Sequence, residues 1–216
     1  MTQFDDLFET DIHNIKLIQY IENILKNEDK LQEIASRSFT HGAGFIKIII
    51  GIDEINMLRL HFWNKYDQIA DSQNPHSHGW NLKSKILKGR FNNLIYVESD
   101  TTDNVECRNK YSNNLIIHNN SCNFKYIMPV NLLNTSIQTH TEGNVYSMSR
   151  TEIHKFVALE KGITLSLREL AHDDMAFIYA KTTLPTSCVF PTLTANEVAS
   201  HLSDLLHLLN TSTPNI

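Results

Sequence analysis

Two histidines separated by a single residue are the part of this sequence best suited to bind a metal ion. They lie in the segment NPHSHGW, where an Asn-Pro turn precedes His76 and His78. Residues two apart on a β-strand point to the same side, so His76, His78 and Trp80 would share one face. Two imidazoles on one face can occupy adjacent coordination positions of a single cation. The chain has eleven histidines, so this spacing gains meaning only when a further ligand accompanies it.

A third histidine, His154, opens the β-type run IHKFVAL farther along the chain. Taken alone it would be a packed or surface histidine, and it becomes a candidate ligand only as a partner of the first pair. The residues alone therefore offer His76 and His78 as a ligand pair, with His154 as a candidate third ligand. The sequence has no Cys-x-x-Cys zinc pattern, no glycine loop typical of phosphate binding and no Gly-x-Ser-x-Gly nucleophile motif.

The elements that would position these histidines are short strands. From residue 45 to about residue 179, many β-type runs alternate with turn-forming clusters, which is typical of an all-β sandwich or barrel. Residues 4–36 carry apolar side chains at steps of three and four, so we predict helices that pack on the barrel through Phe8, Ile12, Ile15 and Ile18. TANE at residues 194–197 forms a helix-capping box before a second apolar stripe. We predict an N-terminal helical extension (1–41), a β-barrel (42–182) and a C-terminal helix packed on it (183–216).

On these residues the chain resembles the cupin superfamily. The first cupin motif has the form G-x5-H-x-H-x3,4-E-x6-G, and HSHGWNLKSKILKG supplies His76, His78 and the closing Gly89. The run EIHKFVALEKG supplies His154 for the second motif, so the resemblance implies a metal site made of His76, His78 and His154. The resemblance covers roughly residues 44–180 and implies a mainly β fold, a cupin-type antiparallel β-barrel (double-stranded β-helix) with a metal inside. The glutamate of the motif falls at Leu82 or Lys83, and its first glycine and the later Pro-x-Gly are absent.

Three histidines without a carboxylate are similar to the thiol dioxygenase branch of cupins, which includes cysteine dioxygenase. This resemblance implies a mononuclear non-haem Fe(II) oxygenase that acts on a small molecule such as a thiol or an amino-acid derivative, together with O2. An isomerase, lyase or hydrolase that uses Zn, Mn or Ni is the alternative, as is a barrel that binds a small ligand without catalysis. Because cupins are often dimers, a homodimer is also possible.

Arg59 is the candidate for holding an anionic substrate group, because an arginine often holds the substrate carboxylate in thiol dioxygenase-like proteins. On the strand MLRLHFW it shares a face with His61, which could contact the substrate or support the ligands. An arginine inside a barrel is costly to bury unless it is paired with an anion. The alternatives are that Arg59 faces solvent or that it pairs with Glu98.

The other candidate site residues follow from their strand faces. Tyr146 could act as an acid or hydrogen-bond donor at the site. Trp80 and Phe156 share strand faces with the histidines and would form walls of the substrate pocket. His140 or Glu142 could complete the metal shell, although an exposed glutamate is usually only solvated.

Composition and charge indicate which classes of partner and which cellular location to expect for the protein. A formal net charge of -5 and the absence of a basic cluster argue against nucleic-acid binding. The longest apolar run is far shorter than the roughly 20 residues that span a bilayer, so we expect no membrane insertion. The acidic start MTQFDDLFETDIHN does not look like a secretory signal, and three widely spaced cysteines suggest a reduced, cytoplasmic protein. A Cys107–Cys122 disulfide is the alternative.

Overall fold

The fold is dominated by antiparallel strands, with helices near both ends of the chain. The computed structural model describes residues 4–8, 12–64, 73–116, 121–169 and 176–211. A short 3-10 helix (Asp5–Phe8) precedes the helices α1 (Ile12–Leu25) and α2 (Glu28–Ser36), and α3 (Ala195–Thr211) closes the chain. The prediction of a mainly β fold with N-terminal helices and a C-terminal helix is confirmed. The three-part division at residues 41 and 182 stays a prediction.

The strands form two six-stranded antiparallel sheets that enclose a cavity. Sheet 1 has the order β1-β2-β3-β10-β4-β8, and sheet 2 has the order β11-β6-β7-β5-β9 with β12 paired to β7. Consecutive strands thus change sheet several times, as the predicted double-stranded β-helix requires. The strands are β1 (Phe39–His41), β2 (Phe45–Ile52), β3 (Asn56–Trp63), β4 (Leu82–Lys88), β5 (Arg90–Ser99), β6 (Glu106–Ile116), β7 (Ser121–Thr141), β8 (Val145–Met148), β9 (Ile153–Ala158), β10 (Gly162–Glu169), β11 (Ala176–Ala180) and β12 (Ser187–Val189).

The largest apolar core lies between sheet 1 and the helices, outside the cavity. On β2 the alternating residues Ile48 and Ile50 are fully buried in this core, while Phe45 and Lys47 line the cavity on the other face. Each fully buried isoleucine stabilises the fold by about 1.5–3 kcal/mol relative to an exposed one. Because this outer core holds the fold together, the inner face of sheet 1 can carry polar side chains.

The buried face of α1 differs from the stripe that the sequence suggested. Leu17, Ile21 and Ile24 are buried, whereas Ile15 is 58% exposed, so the expectation that Ile15 packs on the barrel is wrong. Steps of three and four admit more than one apolar face in a helix that is rich in isoleucine, and tertiary packing selects between them. Helix α3 buries Val198, Leu202, Leu205 and Leu209, as the stripe after the capping box predicts.

A bulge in β2 brings the amino-terminal helices close to the sheet. The register between β2 and β3 shifts between Ile49 and Gly51. A Cβ atom on Gly51 would lie 2.8 Å from both Phe4 Cζ and Tyr20 Oη. The Tyr20 hydroxyl donates a 3.0 Å hydrogen bond to the carbonyl oxygen of Ile50. Glycine is therefore needed here, because only a residue without a side chain allows this approach.

Two of the three cysteines form a disulfide bond, so the expectation of three reduced cysteines is wrong. Cys122 on β7 bonds to Cys188 on β12, and their Cα atoms lie 5.5 Å apart. Cys107 is free and exposed, which also excludes the alternative Cys107–Cys122 pair. The antiparallel pairing of β12 with β7 places Cys188 directly opposite Cys122, a relation that sequence spacing does not reveal. Among the described helices, none has the length and apolarity to cross a membrane.

Candidate metal centre

The segment that carries the first two histidines is held between the edges of two strands of sheet 2. His76 exchanges backbone hydrogen bonds with His154 on β9: the His76 amide donates at 2.8 Å, and the His154 amide donates back at 2.9 Å. On the other side, Ser77 donates to the carbonyl of Phe177, and Tyr179 donates to the carbonyl of Pro75, each at 2.9 Å. The pair was expected to open a strand, but β4 begins only at Leu82. Backbone bridges rather than a full strand thus position His76.

The three predicted ligands come together in space. One ring nitrogen from each of His76, His78 and His154 lies within 4.8 Å of the others, and within the described parts of the chain this is the one cluster that could hold a metal ion. The Nε2 atoms of His78 and His154 are 3.1 Å apart. With metal–nitrogen bonds of about 2.1 Å, nitrogens in adjacent positions lie about 3 Å apart. The separation of His78 and His154 therefore fits a shared cation, and a ring nitrogen of His76 lies within 4.8 Å of both.

Hydrogen bonds at the far side of two rings select the tautomer that a metal needs. His76 Nδ1 lies 3.0 Å from the carbonyl oxygen of Asn74, and His154 Nδ1 lies 2.7 Å from Oδ1 of Asn93. Both partners are acceptors, so each Nδ1 carries the proton and each Nε2 keeps its lone pair. Orientation of a ligating imidazole through its other nitrogen is typical of metal sites. Asn74 and Asn93 were missed in the sequence, because neither role has a sequence signature.

Burial keeps all three imidazoles neutral. It lowers the pKa of His78 and His154 well below the ordinary histidine value, and it lowers the pKa of His76 as well. Repulsion between His76, His78 and His154 adds to this effect. Neutral imidazoles are the form that binds Fe, Zn, Ni and Cu. The residues present therefore fit a transition metal held by three nitrogens.

A cavity of about 440 Å³ extends from the three histidines across the space between the sheets. All the other predicted site residues line it, namely Arg59, His61, Trp80, Tyr146 and Phe156. Its volume is in the range that holds a small organic molecule. Their roles toward a substrate stay predictions, but the structure places every one of these side chains at the same cavity as the histidines.

A row of polar side chains crosses the inner face of sheet 1. Arg59 on β3 pairs with Ser166 on β10, which pairs with Ser84 on β4, which pairs with Tyr146 on β8. The hydroxyl oxygens of Ser84 and Ser166 are 3.1 Å apart, within hydrogen-bond distance. Burial raises the pKa of Tyr146, so its phenol stays protonated and can donate a hydrogen bond. The row places a cation at one end and a neutral donor at the other.

Arg59 points into the cavity and has no carboxylate partner among the described residues. It is 4% exposed, and its Nε atom makes no hydrogen bond within the described part of the chain. Glu98, the alternative partner, instead accepts hydrogen bonds from Lys110 and Tyr179, each at 2.7 Å. Burial and the nearby Arg168 lower the pKa of Arg59 to about 9, which still leaves it cationic at neutral pH. Neither alternative for Arg59, exposure to solvent or a pair with Glu98, is what the structure shows.

The aromatic candidates line the same cavity as the histidines. The Trp80 ring lies 5.4 Å from that of His78, and the Arg168 guanidinium lies 4.0 Å from the Trp80 ring centre. Phe156 is buried in an aromatic cluster with Trp63. His61 Nδ1 lies 3.3 Å from the hydroxyl of Thr164, and burial lowers the pKa of His61 well below its ordinary value. These side chains form part of the cavity wall.

Neither residue proposed to complete the metal shell reaches it. Glu142 is half exposed and forms an ion pair with Lys88 at 3.5 Å. The His140 ring stacks on Tyr146 with ring centres 4.2 Å apart, and it does not belong to the histidine cluster. Their strand parity was compatible with an inward direction, but Glu142 follows the last residue of β7 and is exposed, and neither residue belongs to the histidine cluster, so this alternative is wrong for the described residues.

Comparisons with known proteins find similarity only among solved structures. No family model and no curated protein matches the chain. An RmlC-like cupin from Shewanella frigidimarina is 14% identical over 63% of this chain and 86% of its own, with a TM-score of 0.39. KdgF from Halomonas is 13% identical over 58% and 80%, with a TM-score of 0.34. Hydroquinone 1,2-dioxygenase from Sphingomonas, with 4-hydroxybenzoate bound, is 8% identical over 58% and 65%, with a TM-score of 0.34. The solved structures similar to this chain thus include cupins, as predicted, but at these TM-scores the fold and the site rest on the geometry described above.

Proposed function

We propose that this protein is a metal-dependent enzyme of the cupin type, in which His76, His78 and His154 bind one non-haem Fe(II) ion for the oxidation of a small organic molecule by O2. The observation that carries the proposal is the set of three neutral imidazoles at the wall of the cavity, that of His154 buried and those of His76 and His78 half-buried. Because the set includes no carboxylate among the described residues, several coordination positions stay open. Oxygen activation at non-haem iron needs such open positions for substrate and O2.

The iron, when bound, would supply the redox chemistry, and the surrounding residues would bind and orient the substrate. Arg59 offers a fork of donors that matches a carboxylate, so it would hold the anionic end of an amino acid or a thiol derivative. Tyr146, a neutral phenol, would donate a hydrogen bond to a developing negative charge on the substrate. Trp80 and Phe156 would hold the apolar part and keep water out. His61 stays neutral and would complete the polar wall beside Arg59.

The test is the metal content of protein purified without chelators and without nickel resin, combined with oxygen uptake. We expect about one iron per chain, and O2 consumption when one of a panel of small thiols and amino acids is added. His154→Ala should lose most of the metal. His207→Ala is the matched control, because His207 lies exposed on α3, away from the cavity. The control should keep the metal content of the natural protein.

The outcomes separate the proposal from its alternatives. Stoichiometric Zn, Mn or Ni with no oxygen uptake would favour an isomerase, lyase or hydrolase. Equal metal content in His154→Ala and His207→Ala would remove the three-histidine site altogether. If small ligands then still bound to His76→Ala, the protein would be a binding module rather than an enzyme.

A further inference from the structure

A second buried basic side chain lies on the same cavity wall as Arg59. Lys47 on β2 is 7% exposed and lines the cavity, and it pairs in register with His61, two residues from Arg59 on the adjacent strand. Diagonal neighbours on one face of a sheet are about 7–8 Å apart, close enough for long side chains to approach each other. The sequence contained a signal for it, since Lys47 interrupts the apolar run FIKIII at the parity of Phe45.

No carboxylate among the described residues balances these two cations. The cavity-lining residues include no aspartate and no glutamate within the described ranges. The Lys47 ammonium lies 4.8 Å from the centre of the Phe39 ring, a contact that offsets only part of the loss of water. Burial, then repulsion by Arg59 and Arg168, lowers the pKa of Lys47 well below its ordinary value. Natural proteins rarely bury a lysine and an arginine together without an anion.

We propose that Lys47 and Arg59 together bind a small organic dianion, a dicarboxylate, and that Lys47 selects dianions over monoanions. The inference deepens the proposed function by naming the substrate class, and it rests on that function only for the claim that the dicarboxylate is a substrate. Two cations on separate strands match a ligand with two separated carboxylates better than a ligand with a single compact anionic group. A phosphate site, by contrast, usually adds free backbone N–H groups to its cationic side chains, and the paired strands of this wall do not offer such groups.

The binding test compares each dicarboxylate with its half-amide, which has nearly the same shape but one charge fewer. Calorimetric titrations use oxalate, malonate, succinate, glutarate and adipate at pH 7 in a buffer without multivalent anions. For the best-fitting acid we expect the dianion to bind at least about tenfold more tightly than the half-amide, the effect of one charged hydrogen bond. Lys47→Met should abolish this difference and leave the affinity for the half-amide unchanged.

Lys125→Met is the matched control. It makes the same substitution and the same change in net charge, but Lys125 is exposed on β7, outside the cavity. It should keep the full preference for the dianion. A preference that survives in Lys47→Met, equal affinities for dianion and half-amide in the natural protein, or no binding of any acid in the series would overturn the proposal. Inorganic phosphate binding more tightly than every dicarboxylate would overturn it as well.

Each titration is run on metal-free and on iron-loaded protein, so that the two proposals fail separately. The cation pair is present without metal, so the metal-free protein should already discriminate between dianion and half-amide. Loss of discrimination with normal iron content would refute the dicarboxylate site and leave the metal centre standing. Full discrimination in a protein that binds no iron would refute the metal centre and leave the dicarboxylate site standing. The comparison of ligands on the natural protein needs no variant, so it decides the matter even if Lys47→Met folds poorly.

Discussion

Replacing Asn93 by alanine tests whether the metal site depends on the residue behind its third ligand. Asn93 is fully buried, and its Oδ1 atom accepts the 2.7 Å hydrogen bond from His154 Nδ1. Asn93→Ala leaves this N–H buried without a partner, which costs about 1–3 kcal/mol of stability. The His154 ring is then free to turn or to change tautomer. Loss of such a supporting residue typically lowers metal affinity by about 10–100-fold, equivalent to roughly 1.4–2.7 kcal/mol.

The adjacent residue provides the control. Asn92 lies on the opposite face of β5 and accepts a 2.9 Å hydrogen bond from the Thr139 hydroxyl, so Asn92→Ala removes the same kind of bond away from the metal. Affinity is measured by anaerobic competition with a metal-binding dye for Fe(II), and stability by thermal unfolding of the metal-free proteins. We expect a loss of affinity in Asn93→Ala alone, and recovery in Asn93→Asp, which keeps the acceptor oxygen.

The reasoning would be refuted by an Asn93→Ala protein whose metal affinity stays within about twofold of the natural protein. In that case Asn93 would not orient a ligand, and the hydrogen bond would serve only the packing of the barrel. An equal loss in Asn92→Ala would also count against it, since the effect would then reflect general damage to β5. His154→Ala, measured in parallel, separates the two cases because it removes the ligand itself.

The remaining predictions concern the cavity cations and the helical layer. Arg59→Lys should weaken binding of an anionic substrate by about 1–3 kcal/mol at unchanged metal content, because lysine lacks the fork of donors; titration at matched occupancy showing equal affinity would remove Arg59 from the site. Lys47→Met should stabilise the ligand-free protein by about 1–4 kcal/mol in urea unfolding, because it removes a buried amine that must either carry an unbalanced charge or give up its proton on folding. Folding lowers the pKa of Lys47, so at a pH between its folded and its unfolded pKa the unfolded chain holds a proton on Lys47 that the folded protein lacks. The natural protein therefore gains stability as the pH rises through that interval. The stability advantage of Lys47→Met shrinks accordingly toward pH ~10.4, the ordinary pKa of lysine. A less stable Lys47→Met protein at neutral pH would contradict this. Gly51→Ala should lower the thermal midpoint by an amount equivalent to about 1–3 kcal/mol, because its Cβ would overlap Phe4, and an unchanged midpoint would argue against close docking of the helices. Deletion of residues 1–40 should give aggregated protein by exposing the outer core, whereas a soluble truncated chain with an unchanged midpoint would contradict that expectation.

Local spacing was enough to predict two of the three candidate metal ligands, because these two lie close together in the sequence. His76 and His78 are two residues apart, so their common side follows from strand geometry. His154 is distant in sequence, and only the resemblance to cupin motifs connected it with the pair. The face of Arg59 also followed from parity on its strand, although its lack of a carboxylate partner required the structure.

Features that depend on strand pairing could not be predicted from the sequence. Asn93 supports His154 only because β5 and β9 are neighbours in a particular register. The Cys122–Cys188 bond likewise follows from the pairing of β12 with β7. In α1, Ile15 was expected to be buried, but several apolar faces were available and packing selected another. In each case the deciding contact joins residues far apart in the chain, whose alignment no local pattern encodes.

The reciprocal backbone bridge between His76 and His154 has a consequence for how metal would enter and leave. Two of the three ligands keep their spacing through amide and carbonyl groups rather than through the ion. Little conformational freedom is then lost when an ion binds, so affinity is not reduced by the ordering of loose ligands. Removal of the ion would likewise leave the barrel folded, in contrast to small domains that unfold when chelators remove their zinc. Such a site can exchange one divalent ion for another, and its occupant in the cell is set by metal supply as much as by its own preference.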